Sequence, residues 1–407
     1  MIFSIVIPAY NEEDAVKDIL NRSKAAAKNL KAAVSELDEV EIILVSDGSS
    51  DRTEERAREI PGVKVIAYPD NRGYGAAIKT GFEAAQGEWL GFLDSDGTCD
   101  PEFFKNLFDA AREDGLDVVL GSRMHPGSKM PPVRILGNWI FRTLVNLIGE
   151  SDVSDTASGM RLMRRDSLKR LYPLPDGLHF TPAMSVRAIL DPNLSIGERP
   201  MPYEERVGRS KLSVVKDGVR FLRIILETAL TYRPMKFFSW AAFLLALPAV
   251  ALLLLRLGGP TAGPIPYYLE NARIADWMLF RLMLTSVLLA SSVFLFSLGL
   301  VAQSLVGLVH HEKAPPEGWR ASVTRRFPVW GALSLSAALV LNRRPLSAYW
   351  ATGEIPNEFW VFPVAGALFV IVGIELLAFC VVSRISSLLW ERELYRRKSM
   401  DKQAPPS

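Results

Sequence analysis

The sequence predicts an α/β head with a mostly parallel sheet, followed by an α-helical transmembrane region. Three observations predict it. Short β-branched runs alternate with helical stretches in the first half of the chain. The polar motifs fall just after those runs, where open α/β sheets bind their ligands. Beyond Lys236, long uncharged stretches typical of a bilayer take over.

Within the 407 residues, 1–211 are expected to form the globular domain, with an interfacial amphipathic helix at 133–149. A juxtamembrane amphipathic helix follows at 212–235, then a transmembrane region of about four helices at 236–390 and a basic cytoplasmic tail at 391–407. The balance of 47 basic to 45 acidic residues carries no overall nucleic-acid signature. Cys99 lies in the head and Cys380 in an apolar segment, so a disulfide framework is not expected and a reducing, cytoplasm-facing head fits. Ile2 to Ile7 is too short for a signal-peptide core and runs into a strand pattern, so no cleaved leader is expected.

The expected strands are Ile2 to Ile7, Glu41 to Val45, Val63 to Ala67, Trp89 to Asp94 and Asp117 to Leu120. Between the first two, Ala15, Val16, Ile19, Leu20, Ala27, Leu30, Val34 and Leu37 recur at helical spacing and make one apolar stripe. The fourth strand ends in Asp94 and Asp96. Side chains at i and i+2 leave a strand on the same side, so both carboxylates can face one point above the sheet edge. A hard divalent ion such as Mg or Mn takes oxygen ligands of this kind and commonly brings a diphosphate with it. Asp94-Ser95-Asp96-Gly97 also has turn chemistry, and the pair alone does not choose between the two.

Three other polar motifs reach the same edge: Pro8-Ala9-Tyr10-Asn11-Glu12, Ser46-Asp47-Gly48-Ser49-Ser50-Asp51 and Asp70-Asn71-Arg72-Gly73-Tyr74-Gly75. None is a G-x-G-x-x-G, which speaks against a dinucleotide fold. Tyr10 can stack on a base while Glu12 and Asp47 accept hydrogen bonds from ribose or base, so a nucleoside-diphosphate donor is expected at a site that includes Pro8, Asn71, Gly75 and Asp94. Glu12 and Asp51 also read as helix N-terminal acids, and Gly73 as a turn residue.

Four apolar segments follow: Phe237 to Leu255, Met278 to Val309, Phe327 to Leu341 and Phe359 to Val382. The third falls short of the roughly 20 residues that a span needs. Arg233 and Lys236 before the first segment, Lys313, Arg320, Arg325 and Arg326 before the third, and Arg392, Arg396, Arg397 and Lys398 after the fourth place head, middle loop and tail on the cytoplasmic side. A buried helical core is the alternative reading of these segments. Anchoring the head, holding a homo-oligomer and helping a product on its way are all roles open to them.

Together these motifs, with Ser158-Gly159-Met160-Arg161 and Gly208-Arg209-Ser210-Lys211, resemble the family 2 glycosyltransferases of GT-A fold, specifically the polyprenyl-phosphate glycosyltransferases that include dolichol-phosphate mannose synthase. The resemblance covers Ile5 to about Leu212. It implies that Asp47 and Asp70 help to hold the nucleotide, and that Asp94 and Asp96 engage the donor and its metal. Two departures stand out. Thr98 occupies a position where family members often have Gln, and Arg206-Val207-Gly208-Arg209-Ser210-Lys211 is one residue shorter than the usual R-x-x-G-x-S-K.

A lipid-phosphate acceptor calls for Arg and Lys near the membrane, and Arg123, Arg134, Arg206, Arg209 and Lys211, with Ser210 among them, are the candidates. In Val133 to Ile148, Leu136, Ile140, Leu144 and Leu147 oppose Arg134, Asn138, Arg142 and Asn146. Further on, Leu212, Val215, Val219, Leu222 and Leu226 oppose Lys216, Asp217, Arg220 and Arg223. Both patterns suit helices lying in the membrane interface, although an ordinary surface helix looks the same. Asp155 reads as a base, as a residue orienting an arginine, or as a loop acid paired with Arg161. His125 and His179 lack metal-ligand spacing and read as loop residues.

The expected activity is inverting transfer of a sugar from a nucleoside-diphosphate sugar to a dolichyl or undecaprenyl phosphate. Two alternatives are a processive polysaccharide synthase, whose usual Q-x-x-R-W motif this sequence lacks, and a catalytically silent nucleotide-binding membrane scaffold.

Overall fold

The computed structural model describes residues 1–126, 128, 130–149, 152–203, 214–255, 263–271, 275–309, 318–356 and 359–401. The chain divides into two compact units, Met1–Leu230 and Thr231–Ser407.

In the first unit the strands are β1 (Ile2–Ala9), β2 (Glu39–Ser46), β3 (Val63–Ala67), β4 (Trp89–Leu93), β5 (Val118–Ser122), β6 (Met160–Arg164) and β7 (Ile196–Pro200). They form one sheet in the order β3-β2-β1-β4-β6-β5-β7. All neighbouring pairs are parallel except those of β6, which runs antiparallel between β4 and β5. The five expected strands are present within a residue or two. β6 and β7 are additional, and β6 matters for the site: Met160 pairs with Leu93, so the segment entering β6 crosses the edge where β4 ends.

The helices of this unit are α1 (Val16–Ala33), α2 (Thr53–Arg58), α3 (Tyr74–Ala84), α4 (Phe104–Glu113), α5 (Pro132–Ile148), α6 (Arg165–Leu171), α7 (Phe180–Leu190) and α8 (Val214–Tyr232). The strand period of two sends Phe3, Ile5 and Ile7 into one core with α1 and α4, and Val6 into another with α3 and α7. In the first core, Phe3 meets Phe104 and Phe108 edge-on at 5.1 and 4.9 Å between ring centroids. The α1 stripe buries Val16, Ile19, Leu20, Ala26 and Leu30. Val34 and Leu37 are buried as well, but beyond the helix, which ends at Ala33. α3 lies close on β1 because Gly81 has no side chain: a Cβ there would sit 2.2 Å from Cγ1 of Val6.

α5 and α8 are amphipathic, and each leaves part of its apolar surface exposed. Leu136, Trp139 and Ile140 on α5 and Val219, Leu222 and Leu226 on α8 are exposed, whereas Asn138, Asp217 and Phe221 are buried. The rings of Phe141 and Phe221 join the two helices at 5.8 Å.

The second unit contains α9 (Pro234–Leu254), α10 (Pro264–Asn271), α11 (Asp276–Val309), α12 (Trp319–Thr352) and α13 (Val361–Asp401). Its core gathers Met235, Leu300, Val301, Phe327, Leu376 and Phe379. Hydroxyl-to-carbonyl bonds cross between helices at Ser292 to Ala242 (2.9 Å) and Ser334 to Phe369 (2.7 Å), as polar side chains do inside membranes.

Among the described residues, three helices are long and apolar enough to cross a membrane: Pro234–Leu254, Trp277–Val309 and Val361–Arg396. The expected third segment, Phe327 to Leu341, lies inside α12, a 34-residue helix that also carries Arg320, Arg325, Arg326, Arg343 and Arg344. Those charges keep it outside the three, and they place Arg320, Arg325 and Arg326 on a helix rather than in a loop. α13 runs on to Asp401, so the expected tail at 391–407 is helical at its start, and 402–407 lie outside the described residues.

Phe108→Ala is expected to cost about 3–5 kcal/mol, because it empties the centre of the first core. Gly81→Val is expected to destabilise the head by overpacking α3 against Val6. Melting of the full chain in detergent, followed by near-UV circular dichroism, checks both; unchanged melting would contradict this packing.

Candidate active site

The carboxyl ends of β1, β2 and β4 open onto a cavity of about 470 Å³. Its floor is built by loops that bond to one another. Asn11, held at φ +49°, accepts a hydrogen bond from Ser50 N at 2.8 Å, and its own N–H donates to Ser49 Oγ at 3.1 Å. Glu12 N donates to Thr53 Oγ1 at 2.8 Å. Asp51 accepts from the N–H groups of Thr53 and Glu13. Burial alone would raise the Asp51 pKa, and these bonds, with that of the Thr53 hydroxyl, bring it below the ordinary value.

Asp47 is buried, and its two oxygens accept from Arg72 N (2.7 Å) and Gly73 N (2.9 Å). Its carboxylate therefore fixes the third loop. Gly48 allows this approach: at φ +68°, a Cβ there would lie 2.4 Å from the Asp70–Asn71 backbone. Pro8, Tyr10, Glu12, Asp47 and Asn71 line the cavity. Asp70 is exposed and does not line it, and Gly75 packs against Pro175 instead, where a Cβ would come within 2.2 Å of the carbonyl oxygen.

Asp94 and Asp96 stand together on the cavity wall. Asp94 Oδ1 accepts from the Tyr74 hydroxyl at 2.6 Å, and its Oδ2 rests against Gly159, where a Cβ would clash at 1.9 Å. Burial, then the Asp94 charge, push the Tyr74 pKa well above its ordinary value, so the phenol stays protonated and donates. Asp96 Oδ1 accepts from Thr98 N (3.1 Å) and Thr98 Oγ1 (2.6 Å). Thr98 thus orients the second aspartate. No group of three His, Cys, Asp or Glu suited to a metal occurs among the described residues.

The cavity also has a cationic wall. Arg123, Arg134 and Arg220 line it, with Asn138, Phe141 and Phe221 beside them. Arg123 follows β5 and donates from Nε (2.7 Å) and Nη2 (2.9 Å) to Asp155, which also accepts from Arg123 N and Asn138 Nδ2. Asp155 is fully buried and does not reach the cavity. Burial would raise its pKa; Arg123 beside it more than reverses that and holds the carboxyl below its usual range. Burial likewise works against the Arg123 charge, and Asp155 restores it.

The alternative pairing of Asp155 with Arg161 is corrected here. The ion pair of Asp155 is with Arg123, while Arg161 donates to the carbonyls of Ser158 and Thr156. Arg206, Arg209, Ser210 and Lys211 lie outside the described residues. Sequence reasoning missed Arg220 and Tyr74 as cavity residues. Arg220 was legible only as one charge on an amphipathic helix, whereas Asp217, three positions earlier, bonds its Nη1 at 3.2 Å.

The Glycosyl transferase family 2 profile matches residues 4–172, and a domain of unknown function (DUF8752) matches 234–397. The chain is 31% identical to the low-salt glycan biosynthesis hexosyltransferase Agl6 of Haloferax volcanii, over 64% of this chain and 60% of that one, so it spans less than two thirds of that relative. It is 30% identical to the dolichyl-phosphate hexose transferase of the same organism, over 56% of this chain and 95% of the relative. With the undecaprenyl-phosphate 4-deoxy-4-formamido-L-arabinose transferase of Edwardsiella ictaluri it shares 33% identity, over 64% and 78%. Glucosyl-3-phosphoglycerate synthase from Mycobacterium tuberculosis, solved with Mn2+, UDP and phosphoglyceric acid, aligns at TM-score 0.44 and 23% identity over 56% of this chain and 78% of that one, too distant to carry ligand chemistry across. Strand-end motifs, an aspartate pair and relatives matched over most of their length lead to one conclusion: the chain belongs to glycosyl transferase family 2.

Proposed function

We propose that this protein is an inverting glycosyltransferase that moves a sugar from a nucleoside-diphosphate sugar to a polyprenyl phosphate at the cytoplasmic face of a membrane. The observation that carries the reading is that one cavity is lined both by Asp94 and Asp96 and by Arg123, Arg134 and Arg220. The exposed apolar residues of α5 and α8, which help to form that cationic wall, suit a lipid interface. The names of the relatives, which include dolichyl- and undecaprenyl-phosphate transferases, support the same acceptor class.

The donor's base and ribose would lie over Tyr10 and Glu12, on the loop that Asp47 fixes. The hard carboxylate oxygens of Asp94 and Asp96, which both line the cavity, fit Mg or Mn. Asp94 and Asp96 would hold the ion, which neutralises charge on the departing nucleoside diphosphate when bound. A lipid monophosphate needs no base, because its second pKa lies at about 6 and it arrives largely ionised. A phosphate oxygen forms the new bond to the anomeric carbon as the bond from that carbon to the diphosphate oxygen breaks, and the diphosphate leaves with the electron pair. Arg123, Arg134 and Arg220 offset the repulsion between the two anions. Asp155, with its lowered pKa, acts by holding Arg123 charged and in place.

Purified protein given polyprenyl phosphate, Mg or Mn and a panel of GDP- and UDP-sugars is expected to make a lipid-linked sugar of inverted anomeric configuration. No product with any donor would overturn the reading. Asp96→Asn is expected to lower turnover by about 100-fold or more, as loss of a key electrostatic group does, with the melting temperature unchanged; near-normal turnover would exclude the role given to Asp96. For Arg220→Ala and Arg134→Ala, steady-state kinetics should show a rise in KM for the lipid phosphate larger than that for the donor, and equal rises would refute this division of the cavity.

Asp155→Asn leaves the Arg123 charge buried without its partner and is expected to destabilise the head by about 3–5 kcal/mol. Because the folded pKa of Asp155 is depressed, its stabilisation is full above the unfolded carboxylate value near ~4 and is lost as pH falls through the folded value. Acid unfolding of the wild type should therefore be steeper than that of the Asn variant, and matching acid profiles would contradict the assignment.

A further inference from the structure

Arg161 is fully buried at the centre of the sheet, on β6, where it pairs with Phe92 of β4 and Leu120 of β5. A charge in that position is costly unless the surroundings use it. Its Nε donates to Ser158 O at 3.2 Å and its Nη2 to Thr156 O at 2.9 Å, while Nη1 is buried with no hydrogen-bond partner among the described residues. Burial pushes the guanidinium pKa down to about 10, and Tyr74, Asp155 and Asp94 act against that shift. It therefore stays charged at neutral pH, close to the acids of both walls.

The two carbonyls that Arg161 binds belong to the segment 155–159, and each end of that segment serves a different wall. At one end Asp155 holds Arg123; at the other Gly159 supports Asp94. Further bonds from Ser158 Oγ to Gly121 O and from Ser185 Oγ to Thr156 O (2.8 Å) tie the middle to β5 and α7. We propose that Arg161 is a positioning residue that sets the donor wall and the acceptor wall at one fixed separation by bracing the segment 155–159 from beneath. It touches neither substrate. Two anions that must react in line tolerate little misplacement, and an error of 1 Å can cost about 100-fold in rate.

The kinetic part of this inference rests on the proposed glycosyl transfer, whereas the structural part does not. Hydrogen exchange of the full chain in detergent, read by mass spectrometry, compares wild type with Arg161→Met, of similar length but uncharged, and Arg161→Lys, which keeps the charge but not both carbonyl bonds. Faster exchange at both 94–98 and 121–124 is expected in Arg161→Met, with a smaller increase at both in Arg161→Lys. Change confined to 155–159, or to one of the two walls, would overturn the proposal.

In turnover assays kcat of Arg161→Met is expected to fall by about 100-fold with either KM little changed, since each wall still binds its own substrate. Loss confined to one KM would assign Arg161 to that substrate alone and overturn the bracing role. If Arg161→Met does not fold, Arg161→Lys decides by the same two readouts. If the wild type yields no lipid-linked sugar, the functional reading fails and the exchange data still decide the bracing.

Discussion

One buried ion pair, Asp155 with Arg123, fixes the guanidinium that enters the cavity from the end of β5. Removing both groups from water is costly, and the two guanidinium bonds, the Arg123 amide and the Asn138 amide offset that cost by satisfying the carboxylate. The pair gains position more than stability. A guanidinium so gripped faces the cavity from the end of β5, while the aspartates face it from the end of β4. Antiparallel β6 lies between those two strands, so the segment entering it can serve both walls at once.

The proposed chemistry follows from charge. In the proposed reaction donor and acceptor are both anions, and a site that brings them together must supply cations to each while leaving room for in-line attack. On that reading arginines, which bind phosphate oxygens in pairs, serve the acceptor, and carboxylates suited to a divalent ion serve the donor. Asp155, which the sequence offered as a base, is fully buried and paired with Arg123. An acceptor that brings its own negative charge makes such a base unnecessary.

The donor half was legible in the sequence because it is local. Each strand-end motif lies next to the β-branched run that presents it, so Tyr10, Asp47, Asp94 and Asp96 could be read onto one edge before any coordinates. The strands that escaped notice lack that signal: β6 reads Met-Arg-Leu-Met-Arg, and β7 reads Ile-Gly-Glu-Arg-Pro. Arg220 joins the cavity from a helix some hundred residues beyond Arg123, a pairing no local pattern encodes. Thr98 was noted only as a departure from Gln, and the structure gives it a task in orienting Asp96. On α5 and α8 the amphipathic pattern was plain, but which stripe faces inward depends on whether water or lipid lies outside. In the structure Leu136, Ile140, Val219, Leu222 and Leu226 stay exposed while Asn138 and Asp217 are buried.

In the proposed reaction the acceptor's own ionisation, not an enzyme base, sets the reactivity of the attacking oxygen. The most direct measurement is the pH dependence of kcat/KM for a polyprenyl phosphate beside that for the matching phosphonate, whose second pKa is higher. The acidic limb of the profile is expected to move up with the acceptor. A limb that stays at the same pH for both acceptors would reveal a titrating group on the protein and contradict it.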